Sequence, residues 1–386
     1  MTDILPRTNL LPHEPPLVTS QLPALGGRVG SALEDFRVDE IPAYLPSGEG
    51  EHRFVKIEKR GLSTPEALTL IARTANAKER DIGTAGLKDK HAVTTQWLSL
   101  PRQSRPASEW QLPAEIRVLE ESYHQNKLRT GHLHGNRFTL RLVELDADVR
   151  TRMPALVERL RKGTLNAFAE QRFGRDGQNI QSALEWLKDP RALRGPKARF
   201  LCKLYPSVIQ SELFNRYLSR RLERGEDVLL SGEIVRLEGS GSNFVVEDLA
   251  TEQARFARGD LHPQGPMFGP KMRPAKSEAL ELEQQVLSEL GLTLEELDQL
   301  GAHAPGTRRD VWLRLNDFEA SVQEGSAPSS DGATTPSVVL LFGLPAGSYA
   351  THVVRELTHG VWFERRRGPR ESSASAIDGA QPDAAS

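Results

Sequence analysis

Near the start of the chain, apolar and polar residues alternate in short runs, the mark of half-buried strands. "DFRVDE" (35–40) and "HRFVKIEK" (52–59) are two of them, and "VTTQWLSL" (93–100) and "NRFTLRLVEL" (136–145) are two more. "RDIGTAG" reads as a shorter strand that ends in small residues. Between them "STPEALTLIARTANA" should open a helix. Thr64 suits the N-cap, Pro65 the first helical position, and Glu66 the positive end of the dipole.

From about Arg152 the period changes. "MPALVERLRKG", "NIQSALEWLKD", "YPSVIQSELFNRYLSRRLERG", "AKSEALELEQQVLSELG" and "LEELDQLG" carry apolar residues at helical spacing. "EIVRLEGSGSNFVVED" (233–248) interrupts them as a hairpin candidate, its glycines supplying the turn. Strands resume in "DVWLRLNDFEASV" and "PSVVLLFGL", with "SAPSSDGATTP" (326–336) expected as a long flexible loop between them. A helical middle inside a strand-rich frame points to an inserted domain, the frame being built from both chain ends. Residues 1 to about 25 are Pro-rich and should be extended, and the final "ESSASAIDGAQPDAAS" should be disordered.

The 386 residues leave room for about two or three domains. No apolar run approaches the ~20 residues of a membrane span, and the first residues lack the apolar core of a signal peptide. Cys202 is the only cysteine, so neither an internal disulfide nor a cysteine-rich zinc site is available. A cytoplasmic address and no membrane partner follow as expectations. Net charge is −2, but its distribution is uneven. No acidic residue occurs between Ser122 and Val143, where Lys127, Arg129, Arg137 and Arg141 lie with His124, His132 and His134. Arg365, Arg366, Arg367 and Arg370 form a second cationic cluster. Such stripes can track phosphates or be solvated faces.

"GTAGLKDKHAVTTQ" (83–96) sets Asp89 between two lysines in a strand-to-strand loop. A phosphate-binding loop would need GxxxxGK[ST], which this spacing does not supply, so nucleotide hydrolysis is a weak rival. "AGSYAT" lacks the second glycine of a nucleophile elbow. His132 and His134 have no nearby carboxylate or cysteine to complete a metal set. By residue type alone, Asp89 is a turn-former as readily as a reacting group.

"AGLKDKHAVTTQW" closely resembles the signature of the TruD family of tRNA pseudouridine synthases. The resemblance extends from about Val29 to Leu357. "EDFRVDE", "GEGEHRFVKIEKRGLSTPEAL", "GNRF", "NAFAEQRFGRDGQN" and "LPAGSYATHVVREL" come in family order. It implies an α+β fold: a pseudouridine synthase-type mixed β-sheet catalytic domain flanked by helices, with a large, mostly helical α/β insertion domain. The catalytic domain would comprise residues 1–162 and 309–367, the insertion 163–308, and a disordered tail 368–386.

The implied activity is isomerisation of uridine to pseudouridine at position 13 of tRNA, with no cofactor and no metal. An inactive RNA-binding protein or RNA chaperone of the same fold is the alternative. By the same resemblance Asp89 is the catalytic carboxylate, Phe138 the active-site aromatic and Asn136 its polar neighbour. Arg355 is a candidate partner of Asp89 or phosphate contact, and Arg172 a brace of the domain junction or an RNA contact. tRNA is the expected partner; no obligate protein partner is expected, and the chain should be a monomer. Two departures stand out. Gly30 occupies a place where the family often has Lys, with Arg28 nearby, and Ala169 stands where Gly is usual.

Overall fold

The computed structural model describes residues 11–191, 193–298, 300–315, 317–328 and 334–360. The cationic cluster 365–370 and the terminal tail lie outside them.

The frame is one mixed sheet. Its strands are β1 (Gly26–Val29), β2 (Phe36–Pro42), β3 (His52–Arg60), β4 (Gly83–Thr84), β5 (Val93–Pro101), β6 (Ile116–His124) and β7 (Leu133–Leu145). Late in the chain β14 (Glu319–Pro328) and β15 (Thr334–Pro345) complete it. The order is β14-β15-β7-β2-β5-β3-β6, with β1 beside β7 and β4 beside β5. Only β2 and β5 pair in parallel; the other pairings are antiparallel.

Side-chain alternation gives this sheet an apolar face. Three helices cover it: α1 (Thr64–Thr74), α2 (Val149–Arg161) and α8 (Ala350–Thr358). Ala67 and Ile71 of α1 pack on Val55, Ile57 and Leu98. Leu156 and Leu160 of α2, with Val353 and Leu357 of α8, pack on Phe138, Leu140, Leu142 and Phe342. The helices thus sit at the two flanks, and the centre of the face, over β2 and β5, is left to the loop that carries Asp89.

Residues 165–311 build a separate core. Its helices are α3 (Gln178–Lys188), α4 (Ala198–Glu223), α5 (Leu249–Ala257), α6 (Ser277–Glu289) and α7 (Leu294–Asp298). A four-stranded sheet accompanies them, in the order β10 (Asn243–Val245), β9 (Ile234–Leu237), β11 (Leu261–Met267), β12 (Thr307–Asp310). The chain enters through β8 (Thr164–Leu165) and leaves through β13 (Trp312–Leu313), which pair side by side. Glu233, fully buried, accepts from the equally buried Arg221 at 2.7 Å, and Glu283 accepts from Arg308 at 2.5 Å, so this unit carries charge pairs shielded from water.

The amino-terminal segment straps the two units together. The His13 amide donates to Glu212 of α4 at 2.9 Å, while Glu14 pairs with Arg355 of α8 at 2.5 Å. Thr19 donates to Glu356, which also accepts from Thr164 at 2.6 Å.

Four features differ from the expectations. Ser63, not Thr64, caps α1, in a capping box with Glu66. Thr64 is freed for another task, described below. Helix α4 begins at Ala198, well before Pro206, because its buried face continues through the proline. The segment expected as one strand at 310–322 is broken into β12, β13 and β14, since it must cross between the two cores. Finally, β14 and β15 pair as far as Pro328 and Thr334, so the connection is shorter than the expected loop, its tip lying outside the described residues.

Removing the α1 cap has a bounded cost. Ser63→Ala should destabilise the protein by about 1 kcal/mol, read as a small fall in the midpoint of chemical unfolding.

Candidate active site

The register of the sheet lines up a row of side chains on the helix-covered face. Lys59 faces Thr94, Thr94 faces Val38, Val38 faces Phe138, and Phe138 faces Phe342. In the neighbouring row Glu40 faces Asn136, which faces Leu344. Adjacent members are about 5 Å apart.

The Asp89 loop is tied down onto these rows. Lys88 is buried, and its ammonium donates to Glu40 at 2.8 Å in a pair hidden from solvent. Its amide donates to the Thr64 hydroxyl at 2.9 Å, and that hydroxyl donates to Gln96 at 3.0 Å. Thr64 therefore joins the start of α1 to the loop and the sheet.

Lys59 does more. It is fully buried, and its ammonium donates to the carbonyls of Leu62 at 2.6 Å, Lys88 at 3.3 Å and Asp89 at 2.7 Å. Burial drives its pKa down from 10.5 to about 8, opposed by the attraction of Asp89 and assisted by the charge of Lys88. Outside, Lys90 pairs with Glu66 at 2.7 Å. With Lys59 and Lys88 turned inward, Asp89 is left exposed at the surface of the loop.

Phe138 is 6% exposed, stacked on Phe342 at 5.5 Å and edge-on to Phe36 at 6.3 Å. It belongs to the core. Asn136 stands two residues away on the same face, and its Oδ1 is buried without a hydrogen-bond partner. The buried Thr94 hydroxyl, in the row under the loop, is also unpartnered. Unpaired polar atoms are costly in a folded protein, and both lie on the sheet face toward which the loop's Lys88 reaches.

The other two expected residues lie elsewhere. Arg355 projects from α8 toward the amino-terminal strap, where it pairs with Glu14 and donates to the Pro15 carbonyl at 2.9 Å. Burial pushes the neighbouring Glu170 carboxyl up to about 7, with Glu14 adding to the shift and Arg355 opposing it. Arg172 is 6% exposed, donates to Ser211 at 3.2 Å and lies over the Phe168 ring. Both arginines are thus built into the junction of the two units. Arg28, near the departing Gly30, pairs with Glu144 at 2.6 Å.

Lys59 and Glu40 were not singled out from the chain, although a signal was there. Lys59 follows Val55 and Ile57 on the inward period of β3, and Glu40 follows Phe36 and Val38 on that of β2. A charged residue at the end of an apolar face must find a partner or a use.

The fold comes first. A putative tRNA pseudouridine synthase D (TruD) from Methanosarcina mazei has the same fold, at a TM-score of 0.67 and 23% identity, with 92% of this chain and 97% of that one covered. The sequence then decides the family. The model of tRNA pseudouridine synthase D (TruD) matches residues 15–183 and 191–357. A relative of that name from Anaeromyxobacter sp. (strain Fw109-5) is 43% identical over 347 residues, 89% of this chain and 95% of its own length. One from Thermus thermophilus is 36% identical over 348 residues, 90% and 92% of the two chains. The chain belongs to the TruD family.

Proposed function

We propose that the protein isomerises uridine to pseudouridine in tRNA, at position 13, with Asp89 as the group that acts on the sugar. An exposed carboxylate, on a loop held by buried lysines against the sheet face that carries Phe138 and, in the neighbouring row, Asn136, carries this reading. The names of its relatives supply the substrate class.

The reaction breaks C1′–N1 and forms C1′–C5 on the same nucleotide. In the nucleophilic route the Asp89 carboxylate bonds to C1′ as the pair of the C1′–N1 bond leaves with uracil. The freed ring turns, C5 attacks C1′, and the carboxylate departs with its electron pair. The C5 proton is then lost to a base, and N1 gains one from solvent. In the glycal route Asp89 removes the C2′ proton instead and later returns it. Both routes require one ionised, unencumbered carboxylate, and both balance without an oxidant or other co-reactant.

A stacked uridine cannot reach Asp89, so the nucleotide must be turned out of the RNA. Phe138 with Phe36 offers the uracil an aromatic wall, and the Asn136 Oδ1 is an acceptor suited to the uracil N3–H. Arg355 and Arg172 contribute by holding the junction of the two units against which the RNA lies.

Incubation of unmodified tRNA with the purified protein, followed by carbodiimide treatment and primer extension, tests this directly. One new stop at position 13 is expected. A bound tRNA with no new stop would favour the RNA-binding alternative, and a stop elsewhere would move the target.

A further inference from the structure

Most arginines of the 165–311 unit are already paired. Along α4, Arg216, Arg220, Arg221 and Arg224 all reach carboxylates. The elbow between α3 and the start of α4 is different. Lys188, Arg191, Arg194, Lys197, Arg199 and Lys203 are all exposed there, with Asp189 the only acidic residue from 188 to 203. None of the six forms an ion pair among the described residues; Arg194 donates instead to the Leu193 carbonyl at 3.2 Å.

The placement runs against helix electrostatics. The first turn of α4 holds no acidic residue and no side-chain cap. Lys197 and Arg199 add positive charge to the end of the helix that is already positive. A free helix is disfavoured by such charges, whereas one facing a polyanion is not. Underneath, Trp186 packs at a tilt against Tyr205, ring centres 5.8 Å apart, so the cations project from a packed base rather than a loose tail.

We propose that this elbow is a phosphate-tracking surface that grips the tRNA backbone beyond the junction of the two units. The proposal rests on the reading of the protein as a tRNA-modifying enzyme. Asn215, which hydrogen-bonds both backbone groups of Phe168 near the junction, follows Arg199 along the same helix. At 1.5 Å per residue the two are about 24 Å apart, so the elbow lies well away from the junction where Phe168 sits. Six point charges on one exposed bend recognise the spacing of phosphates rather than bases, and the contact should be indifferent to sequence.

The test compares wild type with Arg194→Gln/Lys197→Gln/Arg199→Gln in tRNA binding across a salt series and in steady-state isomerisation. The variant should raise Kd and KM for tRNA about tenfold or more at moderate salt and lower the salt slope by roughly two, with kcat unchanged. Arg194→Lys/Arg199→Lys should keep wild-type affinity, which separates lost charge from lost fold. Lys188→Gln/Arg191→Gln, on the α3 side, should weaken binding in the same direction should the triple variant fail to fold.

Unchanged Kd and slope in either neutral variant would overturn the proposal. So would loss of binding to polyglutamate or to phosphatidylserine vesicles with tRNA affinity retained, since the partner would then be a protein or a membrane. Absence of pseudouridine from the wild-type reaction would count against the catalytic reading alone, because the salt-dependent binding is measured separately.

Discussion

Asp89→Asn is expected to abolish pseudouridine formation, a loss on the order of ten-thousandfold or more in single-turnover rate. The change is small in shape. Asparagine keeps the backbone carbonyl that receives the Lys59 ammonium at 2.7 Å, and it leaves the buried Lys88–Glu40 pair untouched. What it removes is the negative charge and the lone pair that must bond to C1′ or take the C2′ proton. The exposed position of residue 89 makes a folding defect a poor explanation for lost activity. tRNA affinity should stay within about threefold of wild type, because binding is carried chiefly by phosphate contacts elsewhere. A variant that binds tRNA normally and still makes pseudouridine at a comparable rate would take Asp89 out of the mechanism.

How much of this was legible in the chain depended on whether the information was local. The alternation in 35–40, 52–59, 93–100 and 136–145 maps onto β2, β3, β5 and β7, because each strand has one face in the core and reports it at period two. β6 escaped notice: it lies at the edge of the sheet and is mostly exposed or half-buried along its length, so its apolar signal is weak. The cap of α1 was displaced by one residue because Ser63 and Thr64 are equivalent by type. The tertiary bonds of the Thr64 hydroxyl, from the Lys88 amide and to Gln96, distinguish them.

The site divides in the same way. Asp89, Asn136 and Phe138 were read from motifs; Asn136 and Phe138 share one sheet face, and Lys88, next to Asp89, reaches Glu40 in the row of Asn136. Their supports could not be found so simply. Lys59 serves Asp89 from thirty residues away, through backbone carbonyls that no sequence pattern records. Arg355 also comes from a matching motif, yet it is engaged by Glu14 of the strap, with Glu356 and the half-buried Glu170 nearby. A motif therefore identifies residues that matter without saying which of them face the same guest.

Lys59→Met should cut kcat by about a hundredfold to a thousandfold while changing stability little. Methionine fills a similar volume but leaves the carbonyls of Leu62, Lys88 and Asp89 without their donor, and it takes away a positive charge near the Asp89 carboxylate. Relief from burying an ammonium offsets part of the loss in stability, whereas nothing offsets a loop that no longer holds Asp89 in register. The pH dependence makes the test sharper. Lys59 has a folded pKa near 8 against 10.5 when unfolded, with Lys88, Asp89 and Glu66 as the charged groups around it. Between those values the unfolded chain binds more protons than the folded one, so this group makes the protein more stable as pH rises through the window. Over the same interval the ammonium loses a donor and its charge, and activity should fall. Stability and turnover should thus move in opposite directions in the wild type above pH 8, and this opposition should vanish in Lys59→Met. A wild type whose activity and stability both hold level across that range would show that the lysine does not govern the loop.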